Sequence, residues 1–336
     1  MLGASGGSGG SGGSGAAVAS GGAGGVAGTL ATGGASSGAG SAGRAGSQSG
    51  TAGTSGSVAG SSGAGGSSGG CTVGAWPAAD PTVAGPFATV TETNVGPAAG
   101  EGADGGAPVA FTMFRPKDLA QGGLCHPVVT WGNGTGSNPS LYKVLLNQLA
   151  SHGFVVIASN SPQVSMGDPP PMLAGVTWVL AQNDDPTSVM YQRIDTTHIG
   201  ATGHSQGGFA TTTAGGDSHV TTIFALCGAS PQRNLHGPAL LFCGGADTTV
   251  PCSTIQNSFD AINKQPVMLA SYLTADHASW ITFRGTTPSP VEAAVTAWMR
   301  VQLMGDTANR KYFYGSSCTL CSDSRVTVMR NSLMMQ

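Results

Sequence analysis

The sequence predicts an α/β domain built on a mostly parallel central sheet with helices on both faces. After residue 70, short and continuously apolar runs alternate with helical patterns. Such runs are typical of strands that are buried on both sides. A glycine-rich turn, Gly203–Gly208, also joins one apolar run to the start of a helix. Strands that alternate with helices in this way predict a sheet covered on both faces.

The chain divides near Cys71 into two parts of different composition. Residues 1–70 hold half of the 56 glycines, no aromatic residue, no cysteine and a single charge, Arg44. So little apolar surface cannot offset the loss of conformational entropy, so we predict a disordered Gly/Ser/Ala-rich linker or stalk. Residues 71–336 are long enough for one large domain with a single core.

The charge balance limits the classes of partner. The formal net charge is −3, with only 13 Lys and Arg residues, which argues against nucleic acid and anionic membranes as partners. No run reaches the roughly 18 apolar residues that a membrane-spanning helix needs. We expect a monomer with no nucleic-acid partner and no membrane span.

Cysteine usage indicates the compartment. All seven cysteines follow residue 70, which favours an oxidising, extracytoplasmic location. Met1–Gly3 is not followed by a basic and then apolar segment, so no signal peptide is visible. We expect a secreted or cell-surface tethered protein whose start is truncated. A cytosolic protein with reduced cysteines is the alternative.

The elements follow in order along the domain. Residues 71–107, rich in Gly, Pro and Ala, are predicted to be irregular and to wrap the domain edge. A capped helix is predicted after Asn138, with Leu141, Val144, Leu145 and Leu149 on one face and Gly153 as its stop. The other predicted helices cover residues 172–180, 209–214 and 291–304. The predicted strands are 109–114, 126–131, 154–158, 197–202, 221–226, 239–242 and 267–272.

The turn between two of these elements carries a catalytic motif. Gly203 to Gly207 reads Gly-His-Ser-Gln-Gly, the Gly-x-Ser-x-Gly nucleophile elbow of serine hydrolases. In such a turn the serine hydroxyl, here that of Ser205, projects from the sheet edge. The backbone N–H of Gln206 is then placed to donate to a developing oxyanion.

An acid and a histidine follow the serine in the order that this type of fold uses. Asp247 comes after the predicted strand 239–242, and His277 comes after the next strand. Asp247 as a simple turn cap is the alternative. Asp276 is a weaker candidate, because a neighbour in sequence rarely orients an imidazole. Every other histidine precedes the serine or the acid, so His277 is the predicted general base.

The loop after strand 126–131 is the expected source of the second oxyanion donor. Asn133 is the first choice and Gly134 the second, because the donor is a backbone N–H. A glycine-rich turn without a catalytic role stays open. Gly134 is also placed in the predicted substrate cleft, where His204 is expected to form part of the floor. Trp131 and Trp280 either line this cleft or belong to the core.

These residues carry a family resemblance that runs from about Gly85 to Gly315. The chain resembles bacterial cutinases and poly(ethylene terephthalate) hydrolases. The similar segments are the elbow with the preceding residues 194–200, the segment 149–156, the acid segment 247–251 and the helical segment 295–300.

The resemblance implies an α/β-hydrolase fold without a lid domain, in a secreted enzyme that cleaves ester bonds without a cofactor or metal. By match of motif, Ser205, Asp247 and His277 take the positions of the catalytic triad. Asn133 and Gln206 take the positions that bind the oxyanion and the acyl group.

Two departures from the family pattern concern this acyl site. Gln206 stands where those enzymes usually have methionine, and Asn133 stands where they usually have an aromatic residue. Both changes are expected to make the cleft more polar, so the sequence favours ester cleavage in general over polyester cleavage in particular. A chlorophyllase- or lipase-like esterase of small lipidic esters, and a catalytically silent binding module, are the alternatives.

The cysteine pattern leaves one thiol over. We expect a local disulfide at Cys318–Cys321 rather than a redox pair or half a metal site, because no second CxxC follows. A Cys243–Cys252 bond would bracket the Asp247 loop, and Cys227 competes for Cys243. Cys71 with Cys125 is a further open pairing.

Overall fold

A computed structural model describes residues 70–99, 108–166, 170–279 and 290–335. The predicted stalk, except for Gly70, and the predicted cleft residue Trp280 lie outside these residues. The described residues all fall within one compact unit, without a separate lid domain. No helix in them is long and apolar enough to cross a membrane.

Nine strands of the described chain form a single sheet in the order β1-β2-β4-β3-β5-β6-β7-β8-β9. Strands β3 to β8 pair in parallel, and the edge pairs β1–β2, β2–β4 and β8–β9 are antiparallel. The strands are β1 (Thr89–Ala99), β2 (Val109–Pro116), β3 (His126–Gly132), β4 (Val155–Ser159), β5 (Ile194–His204), β6 (Val220–Leu226), β7 (Ala239–Gly244), β8 (Val267–Tyr272) and β9 (Val326–Arg330). The mostly parallel sheet predicted from the apolar runs is confirmed.

Helices cover both faces of this sheet. Helices α1 and α5 contribute side chains to one core cluster, and α2, α3 and α4 contribute to the clusters on the other face. Alternate residues of β6 enter the two cores, as the period of a strand requires. The helices are α1 (Lys143–Ser151), α2 (Pro171–Asp184), α3 (Gln206–Ala214), α4 (Cys252–Ala261), α5 (Pro290–Met304) and the short α6 (Thr319–Ser322).

Some of the sequence-based element predictions are wrong. The segment 71–107 was expected to be irregular, yet β1 forms there because its main chain pairs with β2 through two register shifts. Leu141 and Val144 are 48% and 37% exposed, because a 3-10 turn, Pro139–Tyr142, precedes α1 and changes the phase of its buried face. The buried face of α1 contains Leu145, Leu146 and Leu149 instead. Helix α4 and strand β9 were not predicted.

Three disulfides connect the cysteines of the domain. They join Cys71 to Cys125, Cys243 to Cys252 and Cys318 to Cys321. These are the pairings that the sequence favoured or left open. The seventh cysteine, Cys227, is buried and lies outside the three disulfides, so it does not displace Cys252 from Cys243.

Candidate active site

Ser205 occupies the turn between β5 and α3. Its backbone has φ 57° and ψ −118°, a left-handed conformation that a residue with a side chain rarely adopts. Its N–H donates to the carbonyl of Leu226 on the neighbouring strand at 2.8 Å, which helps to hold the turn in place. Such strain persists only where the surroundings fix it, and it is common at functional sites.

Close approach of main chains explains the glycines around this serine. A Cβ atom at Gly207 would lie 1.9 Å from the carbonyl oxygen of Gly132, and one at Gly203 would lie 2.5 Å from that of Gly207. No side chain fits at either position, because β3, β5 and the first turn of α3 touch there through their backbones. The turn therefore presents Ser205 at the carboxyl edge of the parallel strands, where such sheets carry their sites.

Asp247 and His277 come from the loops after β7 and β8. The two loops are joined by main-chain hydrogen bonds, including one of 2.9 Å from the N–H of Ala246 to the carbonyl of Ala275. The Cys243–Cys252 disulfide brackets the Asp247 loop. The Asp247 carboxylate is fully buried, and its Oδ1 accepts hydrogen bonds from the N–H groups of Thr249 and Val250.

The three predicted side chains meet in one hydrogen-bonded chain. Nδ1 of His277 lies 2.7 Å from Oδ2 of Asp247, and Nε2 of His277 lies 2.8 Å from Oγ of Ser205. A carboxylate oxygen can only accept, so Nδ1 of His277 carries the ring proton and donates it in a hydrogen bond to Asp247, and Nε2 is left to accept from the serine hydroxyl. The imidazole of His277 is 19% exposed, whereas the carboxylate of Asp247 is not exposed. Solvent therefore reaches this series of hydrogen bonds at the imidazole and not at the carboxylate.

Asp276 does not compete for this position. Its carboxylate accepts hydrogen bonds from the hydroxyl of Ser279 at 2.7 Å and from the N–H of Ala278 at 3.1 Å. The hydroxyl of Ser279 contributes most to a pKa of Asp276 below its usual value. The side chain of Asp276 therefore closes its own turn, and of the two carboxylates it is Asp247 that hydrogen-bonds to the ring of His277.

The loop after β3 lies against the nucleophile. The side chain of Asn133 is buried and turned inward, where it accepts from the indole of Trp131 at 3.0 Å and donates to the carbonyl of Ser159. Gly134 follows it, and a Cβ there would lie 3.5 Å from Cβ of Ser205. The N–H of Gly134 donates to the hydroxyl of Tyr142 at 3.1 Å, which makes it unavailable to an oxyanion in this arrangement.

Gln206 begins helix α3 directly after the serine. Its N–H has no acceptor among the described residues, and it lies at the helix end where the macrodipole is positive. Its side chain points to the 163–164 segment, where Oε1 accepts from the N–H of Val164 at 3.1 Å and Nε2 donates to Gln163 at 2.7 Å. The main chain of Gln206 can therefore bind an anion while its amide is held aside.

The structure corrects two predicted cleft residues. Trp131 is fully buried in the core beside Tyr142, so its indole does not line an open cleft. His204 is 2% exposed and lies behind the serine rather than on a substrate floor. Burial, together with the nearby His277, lowers the pKa of His204 to about 4. Both rings are therefore buried and do not line an open cleft.

One group of three potential metal ligands occurs among the described residues. Atoms of His204, Cys227 and His277 lie within 4.8 Å of one another. Each imidazole already makes two hydrogen bonds to other protein atoms. A metal ion would have to displace at least one of these bonds from each ring.

A comparison with protein families identifies the family of this chain. The model of one family, described as PET hydrolase-like, matches residues 76–332. The chain belongs to the PET hydrolase-like family. This confirms the resemblance and the α/β-hydrolase fold inferred from the sequence. Among curated proteins, none matches this chain.

Asn133 and Gln206 are the two positions where this chain departs from the usual family pattern. The expectation that Asn133 makes the cleft more polar is wrong, because its amide is buried and bonded to Trp131 and Ser159. The amide of Gln206 is likewise engaged by Gln163 and Val164. The side-chain amides of both residues therefore bind neighbouring loops of the site.

Sequence reasoning missed Tyr142. The residue falls inside the helical pattern that follows Asn138, where an aromatic residue is normally interpreted as core. Its ring is indeed packed on Trp131, but its hydroxyl contacts both Gly134 and His204. No spacing rule links Tyr142 to the elbow, because the contact depends on how the 3-10 turn folds back.

Proposed function

We propose that this PET hydrolase-like protein is a serine hydrolase of carboxylic esters that works through an acyl-enzyme on Ser205. The observation that carries the proposal is the continuous chain of short hydrogen bonds from Asp247 through His277 to Ser205. Such a chain at a nucleophile elbow transfers acyl groups, and membership of the PET hydrolase-like family supports an ester as the acyl donor.

The first half of the reaction forms the acyl-enzyme. Oγ of Ser205 attacks the ester carbonyl carbon while its proton passes to Nε2 of His277. Asp247 keeps the ring in the correct tautomer and stabilises the imidazolium. When the tetrahedral intermediate collapses, the bond from the carbonyl carbon to the alkoxy oxygen breaks, and His277 returns the proton to the leaving alcohol.

The second half releases the acid. Water takes the place of the alcohol, His277 accepts a proton from it, and the hydroxide attacks the acyl carbon. Collapse of this second intermediate breaks the bond to Oγ of Ser205, which regains its proton from His277. The products are a carboxylic acid and an alcohol, and the enzyme is restored.

Two backbone N–H groups are proposed to stabilise the oxyanion. That of Gln206 is supported by its position at the start of α3, where the helix dipole favours negative charge. The second is that of Asn133, whose inward side chain holds the main chain of the loop beside the serine. Loss of one such donor typically costs about a hundredfold or more in kcat.

We also propose that the protein acts outside the cytoplasm. The support is the three disulfides of the domain, because disulfides form and persist in oxidising compartments. In that setting a polymer or an extracellular ester is a reachable substrate.

Kinetics of the full chain on p-nitrophenyl butyrate test the proposal. Ser205→Ala should lower kcat on the order of 10⁶-fold, as loss of the nucleophile does in serine proteases. Ser322→Ala, at an exposed serine of α6, is the matched control and should keep the wild-type rate. Retained activity in Ser205→Ala would contradict the mechanism.

A second comparison separates the substrate classes. The wild-type protein is given a tributyrin emulsion and an amorphous poly(ethylene terephthalate) film under the same conditions. Release of soluble aromatic acids from the film, abolished in Ser205→Ala, would support a polyester hydrolase. Hydrolysis of tributyrin alone would assign the protein to esterases of small lipidic esters.

A further inference from the structure

Tyr142 is a buried side chain that the proposed mechanism does not use. Residues 133–138, the loop after β3 that carries the proposed oxyanion donor, are called the oxyanion loop below. Tyr142 ends the 3-10 turn that follows this loop, and it is 4% exposed. Its hydroxyl lies 3.1 Å from the N of Gly134 on one side and 3.1 Å from Nδ1 of His204 on the other. One hydroxyl thus joins the oxyanion loop to the residue that precedes the nucleophile.

His204 continues this connection to the loop of the general base. Its Nε2 lies 2.9 Å from the main-chain carbonyl oxygen of His277. Burial keeps the pKa of His204 near 4, so the ring is neutral at pH 7 and carries one proton. The rings of His204 and His277 also lie close, with centroids 4.9 Å apart.

The chemistry of the partners fixes the direction of every bond. The carbonyl of His277 can only accept, so Nε2 of His204 must donate, and Nδ1 of the neutral ring is left as an acceptor. The hydroxyl of Tyr142 must then donate to Nδ1, which leaves its oxygen to accept from the N–H of Gly134. Each group in the series has a partner of the correct type, as a buried polar network requires.

We propose that Tyr142 and His204 are positioning residues that hold the oxyanion loop and the general-base loop at a fixed separation around Ser205. The inference deepens the proposed ester hydrolysis and rests on it. The series runs from Gly134 through Tyr142 and His204 to the main chain of His277 and passes behind the serine. Neither side chain touches the substrate or accepts a proton from it.

The location of the ends gives the series its effect on the reaction. Gly134 adjoins the proposed donor Asn133, and His277 supplies the proposed base. Neither residue lies in a helix or strand, so hydrogen bonds rather than regular structure fix both positions. A misplacement of the reacting groups by about 1 Å can lower the rate about a hundredfold. A link that fixes the two loops relative to each other should therefore raise kcat.

Removal of one hydroxyl tests this proposal. In the full chain, Tyr142→Phe keeps the ring on Trp131 but leaves the N–H of Gly134 without its acceptor and Nδ1 of His204 without its donor. We expect kcat on p-nitrophenyl butyrate to fall about tenfold or more while KM changes less than about twofold. Tyr314→Phe removes a hydroxyl that accepts from Gln302 and is the matched control, with kinetics unchanged.

A second variant, His204→Gln, provides an independent test if Tyr142→Phe does not fold. It should lower kcat in the same way, and the double variant should be little worse than the poorer single one, because both changes break one series. Wild-type kcat in Tyr142→Phe, a rise in KM alone, or fully additive losses would overturn the inference. If one of these results is found while Ser205→Ala still abolishes hydrolysis, the positioning role fails but the proposed function stands. If the wild-type protein hydrolyses no ester, the positioning role and the proposed function both fail.

Discussion

Asp247 and Asp306 are both buried carboxylates bonded to a basic side chain, and their surroundings differ. Asp247 contacts His277, a half-buried ring whose other nitrogen faces the hydroxyl of Ser205. Asp306 accepts from Nε of Arg300 at 2.7 Å and from the amide of Asn309 at 2.7 Å. The first pair leaves one atom for a reaction, whereas the second pair is closed on all sides.

The donors of Arg300 show why the second pair can only support the fold. Besides Asp306, they contact the carbonyl oxygens of Pro77 and His152, so one side chain joins α5 to the N-terminal segment and to the end of α1. Burial acts to raise the pKa of Asp306, but the hydrogen bonds from Arg300 and Asn309 outweigh it and hold the pKa low. A permanently charged partner with no open atom cannot move a proton.

The comparison teaches that a buried ion pair is not by itself a functional signal. Both carboxylates have no exposed side-chain surface. What differs is the chemical type of the basic partner, an imidazole in one pair and a guanidinium in the other, and whether the far side of that partner is open to a reacting group. The same substitution at the two carboxylates should therefore have opposite consequences for activity and for stability.

The largest effect is expected for Asp247→Asn. The amide can reverse the tautomer of His277, so that Nε2 no longer accepts from Ser205, and kcat should fall about 10⁴-fold. The melting temperature should stay close to that of the wild type, because the N–H donors of Thr249 and Val250 keep an acceptor. Steady-state kinetics and calorimetry of the full chain provide both values, and near-normal kcat would remove Asp247 from the mechanism.

Asp306→Asn should give the reverse result. It leaves the guanidinium of Arg300 buried without an opposite charge, which typically costs about 3–5 kcal/mol of unfolding free energy. The kcat of the folded protein should be unchanged, because the pair has no contact with Ser205, His277 or Asp247. Urea unfolding measures the loss of stability, and kinetics at urea concentrations below the unfolding transition measure kcat. A kcat loss equal to that of Asp247→Asn would show that the two pairs do not differ in function.

The smallest effect concerns the pH dependence of stability beside the closed pair. Burial, helped slightly by the charge of Arg300, lowers the pKa of His152 to about 4, against about 6.5 in the unfolded chain. The unfolded state then binds more protons between about pH 6.5 and pH 4, so stability is lost as the pH falls through that window. The slope should be about 1 kcal/mol per pH unit from this residue.

His152→Gln should remove that contribution. Urea unfolding between about pH 7 and pH 4.5 should show a flatter decline of the unfolding free energy than in the wild type. His219→Gln, at an exposed histidine, is the control and should keep the wild-type slope. An unchanged slope in His152→Gln would mean that the ring becomes protonated without cost in the folded state.

The sequence was sufficient for the elements that repeat a simple pattern. Continuous apolar runs identified the parallel strands, and the order of Ser205, Asp247 and His277 followed from where those strands end. Edge strand β1 was missed because few of its residues are apolar, so that its stability comes from pairing with β2. Edge strand β9 is only five residues long, too short for its alternation to stand out from a loop.

Contacts between distant segments could not be predicted in the same way. Arg300 and Asp306 are six residues apart, but they become partners only because the chain folds back after α5 into a 3-10 turn. Tyr142 and His204 meet across the sheet edge for a similar reason. Trp131 was an ambiguous aromatic, and only packing shows that it belongs to the core.

Covalent labelling of the full chain by a fluorophosphonate, located by mass spectrometry, tests the central claim most directly. A fluorophosphonate reacts with a serine that a neighbouring base activates, and Ser205, with His277 at hydrogen-bond distance, is the residue proposed for this role. The account predicts one label per chain, found on the peptide that contains Ser205 and absent in Ser205→Ala. A folded protein that stays unlabelled, or a label on another residue, would contradict it.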